Sequence, residues 1–222
     1  MIHLGSIRGT TIGVDFSFFI LVVLFVASDY DPKAGIQYAL LWVPVLFISI
    51  VIHELAHAAT IGAFGYGPSE IVLGGIGGAT MNRRRAKAWQ DVAISLAGPI
   101  SSFLLAWLIR VVYVRVPFAH HDPMMVVFLP LLARANIMWG VFNLFPIAPL
   151  DGGHAVRNFF RMFLDERRAF AVSVWIAIVV GASIAVAGLF LRWYFLALLI
   201  AWYVFMNYQQ WKYFREHGTP GD

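Results

Sequence analysis

Long apolar runs alternate along the chain with short polar segments. Six of these runs approach the ~20 residues that a helix needs to cross the hydrocarbon core of a bilayer. They span about residues 14–28, 37–63, 90–114, 124–148, 169–191 and 193–213. Only Arg192 separates the apolar parts of the last two runs. The pattern predicts an all-α membrane protein with about six transmembrane helices.

The composition is also typical of a membrane protein. Of its 222 residues, 60% are hydrophobic and 13% are charged, a balance that a water-soluble domain cannot hide beneath a polar surface. The chain contains no cysteine, which excludes thiolate metal ligands and leaves imidazole and carboxylate as the strong ligands. The net charge of +4 is spread over the segments between the runs, so we expect contact with the lipid bilayer and no binding of nucleic acid.

Basic residues are distributed unequally between the two sides of the predicted membrane domain. With six spans, eleven Lys and Arg side chains fall on the side that holds both termini, and three fall on the other side. Four of the eleven lie in residues 83–87, which we interpret as a topology signal at the level of the lipid headgroups. Because positive charge is enriched on the cytoplasmic side, we predict a multi-pass protein of the plasma (cytoplasmic) membrane with both termini in the cytoplasm.

The second run contains ionisable residues at helical spacing. In the stretch FISIVIHELAHAATIGAFG, His53, Glu54 and His57 interrupt an otherwise apolar sequence. A charge at the centre of a bilayer costs about 2.5–3.5 kcal/mol even on insertion scales, so such residues are retained for a function. Residues i and i+4 of a helix project from one face, so both imidazoles can reach one metal ion while the glutamate addresses a water molecule on it. The pattern predicts one Zn²⁺ per chain, about 15 Å from the cytoplasmic end of the span.

A structural alternative is that the two histidines and the glutamate only form hydrogen bonds with other helices. A catalytic zinc ion usually has three protein ligands, so the zinc hypothesis requires one more. The fourth run is parallel to the second and ends in NLFPIAPLDGGH at residues 143–154, which brings Asp151 to the depth of His57. The two prolines in this stretch break the helix, while the glycine pair after Asp151 permits a tight turn and close backbone approach.

We predict that Asp151 is the third ligand, because it lies closest to the end of the span. His154 is the competing candidate three residues further on, although a surface imidazole or a partner of a ligand is the commoner role. Asp15 and Asp91 also lie near span ends, and we interpret each as a charge at a helix N-terminus.

The segment PSEIVLGGIGGAT, residues 68–80, lies between the second and third runs and is rich in glycine and β-branched residues. It predicts a small β-hairpin or re-entrant extended segment, with a flexible connector as the alternative. Peptide bonds inside a helix are shielded by their own hydrogen bonds, so a helical substrate must unwind before cleavage. An extended segment near the site could pair with the unwound peptide by strand addition.

These motifs together resemble the site-2 protease family of intramembrane zinc metalloproteases. HELAH in the second run and NLFPIAPLDGG at the end of the fourth carry most of the resemblance. GTTIGVDFSF near the N-terminus and LAGPISS at residues 96–102 extend it to about the first 160 residues. Ser102 stands where the family usually has asparagine, and Asp15 stands where a histidine is frequent.

The resemblance implies a zinc metalloendopeptidase that cuts a single-span membrane-protein substrate in or near its transmembrane segment, in regulated intramembrane proteolysis. It implies that His53, His57 and Asp151 bind zinc and that Glu54 is the catalytic acid/base. It further implies that Asn143 helps to hold the substrate or the oxyanion. A regulatory membrane protein is an additional candidate partner.

We expect a single transmembrane metalloprotease domain over residues 1–222, with a catalytic core at about residues 37–160 and C-terminal helices at about 169–213. This corresponds to a short form without a PDZ domain, and no CBS domains are present in this chain. Two other functions compete. An intramembrane zinc transporter would use the same ligands but gives Glu54 no special role, and an inactive membrane scaffold would usually have lost Glu54 or a ligand.

Overall fold

The computed structural model describes residues 1–7, 9–75, 77–81, 86–117 and 121–217. The described chain is mostly helical and contains one small sheet. The helices are α1 Phe16–Ser28, α2 Ile36–Ala39, α3 Trp42–Ala63, α4 Ala88–Arg115, α5 Pro123–Asn143, α6 Asp151–Phe160, α7 Glu166–Phe190 and α8 Tyr194–His217. The strands are β1 Ile2–Ile7, β2 Thr10–Val14, β3 Glu70–Gly74 and β4 Gly77–Met81.

Four helical segments are long and apolar enough to cross a membrane. They are Ile36–Ala63, which joins α2 and α3, together with α4, α5 and α7. They correspond to the second, third, fourth and fifth apolar runs of the sequence. Helix α1 is apolar but has only 13 residues, and α8 is not one of the four segments found within the described residues. The structure thus supports an integral membrane protein, while the count of six spans remains a prediction.

The sheet has four strands in the order β1-β2-β3-β4. Strands β1 and β2 are antiparallel, β2 and β3 are parallel, and β3 and β4 are antiparallel. The sequence predicts only one extended segment, between the second and third runs, and β3 and β4 lie there. The other two strands were not predicted, because five or six residues with glycine and threonine carry too short an alternation to indicate a strand.

The described chain divides into two compact units. The first comprises Met1–Arg85 and Ala97–Val141, and the second comprises Ala86–Leu96 and Phe142–Asp222. Arg8 and Arg83–85, which contribute to the predicted charge asymmetry, lie outside the described residues.

The core of the first unit is formed by the inner faces of the sheet, α1, α3 and α5. Ile71 and Leu73 of β3 and Ile50 of α3 are fully buried in it. Asn136 of α5 is also fully buried, and its Nδ2 donates to Ser49 Oγ of α3 over 2.9 Å. This bond satisfies part of a polar side chain whose burial would otherwise be costly, and it connects α5 to the helix that carries the histidines.

The core of the second unit is formed by α7, α8 and the segment between α5 and α6. Ile147 and Leu150 of this segment pack with Ala177, Ile200 and Tyr203. Helix α5 ends at Asn143, before the two prolines that are expected to break the helix. Gly152 and Gly153 lie in the first turn of α6, where they allow a close approach to the preceding backbone, and they do not form a separate tight turn.

An ionic cluster connects three helices of the second unit. Arg161, the residue directly after α6, contacts Asp91 of α4 over 3.2 Å and Glu166 of α7 over 2.7 Å. Arg157 also pairs with Glu166, and its guanidinium lies 5.0 Å from the centre of the Phe170 ring. Partly buried charges that share partners in this way stabilise more than isolated surface pairs do.

Candidate metal centre

Helix α3 presents His53, Glu54 and His57 in the interior of the protein. Their exposed fractions are 1%, 4% and 6%. The two imidazole rings follow one another by one helical turn, with ring centroids 4.9 Å apart and planes at 76°. Both side chains therefore project from the same face of α3, as the spacing of four residues requires.

Helix α4 packs closely against this face at a glycine. A Cβ atom on Gly98 would lie 2.5 Å from Nε2 of His53 and would collide with Nε2 of His57. The two Nε2 atoms therefore converge on the same point of the α4 backbone. The sequence motif LAGPISS contains this glycine, but the motif alone does not indicate which side chains it accommodates.

Ser102, one turn further along α4, contacts the other nitrogen of His53. Its hydroxyl oxygen lies 3.0 Å from Nδ1, and its exposed fraction is 1%. An imidazole that binds a metal through Nε2 carries its proton on Nδ1, which then donates to a neighbouring acceptor. Ser102 can accept that bond, so this serine is placed to orient a candidate ligand.

Strand β4 covers the carboxylate of Glu54. Thr80 Oγ1 donates to Glu54 Oε2 over 2.7 Å and also lies 3.2 Å from the main-chain oxygen of Glu54. A Cβ atom on Gly78 would overlap the Glu54 carboxylate. Thr80 and Gly78 were not predicted as site residues, although the paired glycines of LGGIGGAT are a signal for close backbone approach.

Asp151 is the first residue of α6 and is half-buried. Its neighbours explain the glycine pair: a Cβ atom on Gly152 would collide with the Leu144 carbonyl, and one on Gly153 would collide with the backbone nitrogen of Ala148. Only glycine lets the first turn of α6 pack on the preceding segment. Asn207 of α8 stabilises the same segment, because its Nδ2 donates to the Ala148 carbonyl over 2.7 Å.

His53, His57 and Asp151 form a group that could hold a metal ion. One ligand atom from each lies within 4.8 Å of the other two. Two imidazoles and one carboxylate are a donor set that suits Zn²⁺ and leaves a fourth position for water. The residues present therefore fit the metal that the motif predicts.

The other predicted candidates have different surroundings. His154 is exposed on α6 and is not a member of this group. Asp91 pairs with Arg161 in the first turn of α4. Asp15 caps α1 by accepting from the Ser17 backbone N–H over 2.9 Å and from the Ser17 hydroxyl. Asn143 is the half-buried last residue of α5, and its role stays a prediction.

Comparison with known proteins finds similarity to zinc metalloproteases. The sequence profile of Peptidase family M50 matches residues 118–188. A zinc metalloprotease of Methanocaldococcus jannaschii is 28% identical over 94% of this chain. The chain resembles the site-2 protease family. A putative zinc metalloprotease of Synechocystis is 26% identical over 93% of this chain, and the putative zinc metalloprotease Rip3 of Mycobacterium tuberculosis is 29% identical over 92%.

The resemblance extends to the fold. The solved structure titled Site-2 Protease from Methanocaldococcus jannaschii matches with a TM-score of 0.66 over 94% of each chain, at 24% sequence identity. This match supports a common fold and carries no argument about activity. The present chain spans 60%, 58% and 56% of the lengths of the three relatives.

Proposed function

We propose that this chain is an intramembrane zinc metalloprotease that hydrolyses a peptide bond in or near the transmembrane segment of a single-span membrane protein. One observation carries the proposal: the buried carboxylate of Glu54 directly follows one of two imidazoles that, with Asp151, form a candidate metal group. The relatives named zinc metalloproteases support the same activity. Cleavage of this kind belongs to regulated intramembrane proteolysis, in which a regulatory membrane protein is a candidate partner.

His53, His57 and Asp151 would hold one Zn²⁺ per chain. Bound zinc supplies a Lewis acid that polarises a carbonyl and brings the pKa of water close to 7. Glu54 accepts the proton of the attacking water and later donates it to the leaving amine, as a general acid/base. Asn143, at the end of α5, donates a hydrogen bond to the substrate or to the developing oxyanion.

Strand β4 is a candidate binding edge for the substrate. It is the last strand in the sheet order, so one of its edges carries no partner strand within the described sheet. An unwound substrate segment can pair with such an edge through backbone hydrogen bonds. Because Gly78 and Thr80 of β4 contact Glu54, a peptide on this strand would lie close to the acid/base.

The predicted membrane topology completes the proposal. Six spans, with α1 and α8 added to the four long apolar segments, place both termini on the cytoplasmic side of the plasma membrane. The candidate metal ligands of α3 then lie within the membrane, on the cytoplasmic side of its midplane.

Cleavage of a membrane-embedded reporter tests this function. The purified protein and a single-span reporter are mixed in detergent and in liposomes, and zinc content is measured for each variant. Glu54→Gln should retain zinc but lose at least a hundredfold in cleavage rate, since general acid/base catalysis contributes about 10²–10⁴-fold. Glu70→Gln is the matched control, because Glu70 is an exposed carboxylate on β3.

The two competing functions give different results in the same experiment. A zinc transporter would move zinc into liposomes without cleaving the reporter, and Glu54→Gln would leave that flux unchanged. An inactive scaffold would show neither cleavage nor flux. Either result would contradict the proposed protease.

A further inference from the structure

We infer that Thr80 is a positioning residue that holds the carboxylate of Glu54 in its reactive orientation. The inference rests on the proposed role of Glu54 as acid/base. Its basis is the hydrogen bond of 2.7 Å from Thr80 Oγ1 to Glu54 Oε2. A hydroxyl that donates to a carboxylate stabilises the charged form and limits rotation of the carboxylate plane.

Thr80 makes a second contact with the same residue. Its hydroxyl oxygen lies 3.2 Å from the main-chain oxygen of Glu54. A hydroxyl has one proton, so the two acceptors compete for it, and the shorter distance favours the carboxylate. Both contacts tie Thr80 to residue 54, so β4 and the middle of α3 are held in a fixed relation within the first unit.

Thr80 itself sits on a well-anchored strand. It is opposite Ile71 in the antiparallel pairing of β3 and β4, and Ile71 is fully buried. The branched Cβ of threonine restricts its side-chain rotamers, which lowers the entropy lost when the hydroxyl is fixed. A group that must be held within about 0.5 Å of its productive position is best supported by such a rigid element.

The positions next to Thr80 on β4 show that one face of the strand accommodates the Glu54 side chain. Side chains alternate between the faces of a strand, so residues 78 and 80 share the face towards Glu54. Gly78 leaves the volume that the Glu54 carboxylate occupies. Ala79 points to the opposite face and is exposed. The strand thus provides space at one position and a donor at the next position on the same face.

Two substitutions of Thr80 separate the effect of the hydroxyl from that of the side-chain shape. Thr80→Val keeps the branched shape without the donor, and Thr80→Ser keeps the donor without the methyl group. Thr11→Val is the matched control, because Thr11 is an exposed threonine on β2 of the same sheet. Thr80→Ala is a second variant without the hydroxyl, to be used where Thr80→Val does not yield folded protein.

The readouts are kcat and KM for the membrane-embedded reporter, with zinc content and Tm measured on the same preparations. We expect Thr80→Val to lower kcat about tenfold to a hundredfold, the effect of a lost hydrogen bond to a charged group. KM and zinc content should stay at the wild-type values. Thr80→Ser should recover kcat to within about threefold of wild type, and Thr11→Val should not change it.

A double-mutant experiment tests whether Thr80 acts through Glu54. Glu54→Asp shortens the side chain by one methylene and withdraws the carboxylate from the threonine. In that background, Thr80→Val should change kcat less than about twofold, because coupled residues are not additive.

Several outcomes would overturn the inference. One is a wild-type kcat in Thr80→Val, and another is an equal loss of kcat in Thr80→Val and Thr80→Ser. A third is a rise in the KM of Thr80→Val with no change in its kcat. The fourth is a loss of kcat from Thr80→Val in the Glu54→Asp background that is as large as its loss in the wild-type background. Failure of the proposed function looks different, because the wild-type protein itself would then not cleave the reporter.

Discussion

At the scale of single residues, the candidate centre depends on positions where a side chain is small or absent. Gly98 admits the two imidazole nitrogens, and Gly78 admits the carboxylate of Glu54. Ser102 and Thr80 then each contact one functional side chain. Precise sites require such supporting contacts, since a ligand that rotates freely binds a metal more weakly.

Replacement of Gly98 by alanine should prevent tight zinc binding. The added Cβ would collide with the His57 ring and lie 2.5 Å from Nε2 of His53, so the rings or α4 must move. We expect zinc affinity to fall at least tenfold, measured by competition with a chelator. Gly62→Ala is the control, because a Cβ at this position of α3 meets nothing within 4 Å. Unchanged affinity in Gly98→Ala would show that the two nitrogens do not form the metal site.

Replacement of Ser102 by alanine removes the acceptor that orients His53. Loss of such a partner typically costs about 10–100-fold in metal affinity or activity, and we expect that range for zinc affinity. Ser102→Asn should lose less, because an amide oxygen can accept the same bond. Ser173→Ala removes a buried hydroxyl that bonds only within its own helix, so it should leave zinc binding intact. Equal affinities in Ser102→Ala and wild type would exclude a role in orienting His53.

At the scale of elements, the last two helices support the segment that leads to Asp151. Ile147 and Leu150 are buried among residues of α7 and α8, and the Asn207 amide bonds the Ala148 carbonyl. The sequence shows these helices only as apolar runs. In the structure, α7 and α8 pack against the proline-rich segment between α5 and α6 within the second unit. They stabilise this segment, which cannot form its own helical hydrogen bonds.

Replacement of Asn207 by leucine tests this support. The carbonyl of Ala148 would lose its donor, which we expect to lower the free energy of unfolding by about 1–3 kcal/mol. Zinc affinity should fall as well, because Asp151 begins the helix that follows this segment. Thermal unfolding and chelator competition measure the two effects. Gln210→Ala, an exposed position of α8, is the control. A lower Tm with unchanged zinc affinity would restrict Asn207 to a structural role.

Elements differ in how far the sequence predicts them. Apolar runs of bilayer length mark the four long helical segments, and the spacing of His53 and His57 places both on one face of α3. Helix α6 was not predicted, because the prolines and glycines on either side of Asp151 indicate a break in the helix when read alone. The close backbone approach that the glycine pair permits is present in the first turn of this helix. Thr80 and Ser102 were not predicted as partners of Glu54 and His53. Their roles depend on which elements lie against α3, and tertiary packing decides that rather than local pattern.

At the scale of the whole molecule, the candidate ligands come from distant parts of the chain, with His53 and His57 on α3 and Asp151 on α6. A metal that binds only the folded protein stabilises it according to the ratio of metal concentration to Kd. Folding and zinc binding should therefore be coupled.

Removal of the metal should consequently lower the Tm of the protein. With zinc at about a hundred times its Kd, linkage gives about 2.7 kcal/mol of stabilisation, or roughly 5–10 °C for a chain of this size. A chelator should abolish this increase in Tm in the wild type and in Glu54→Gln, which keeps all three candidate zinc ligands. In the presence of zinc, Asp151→Asn should have a lower Tm than the wild type, because an amide is a weaker ligand than a carboxylate. The chelator should then change the Tm of this variant only slightly. If Asp151→Asn kept the full response, the metal would be held by the α3 histidines with another partner, and the proposed ligand set would be wrong.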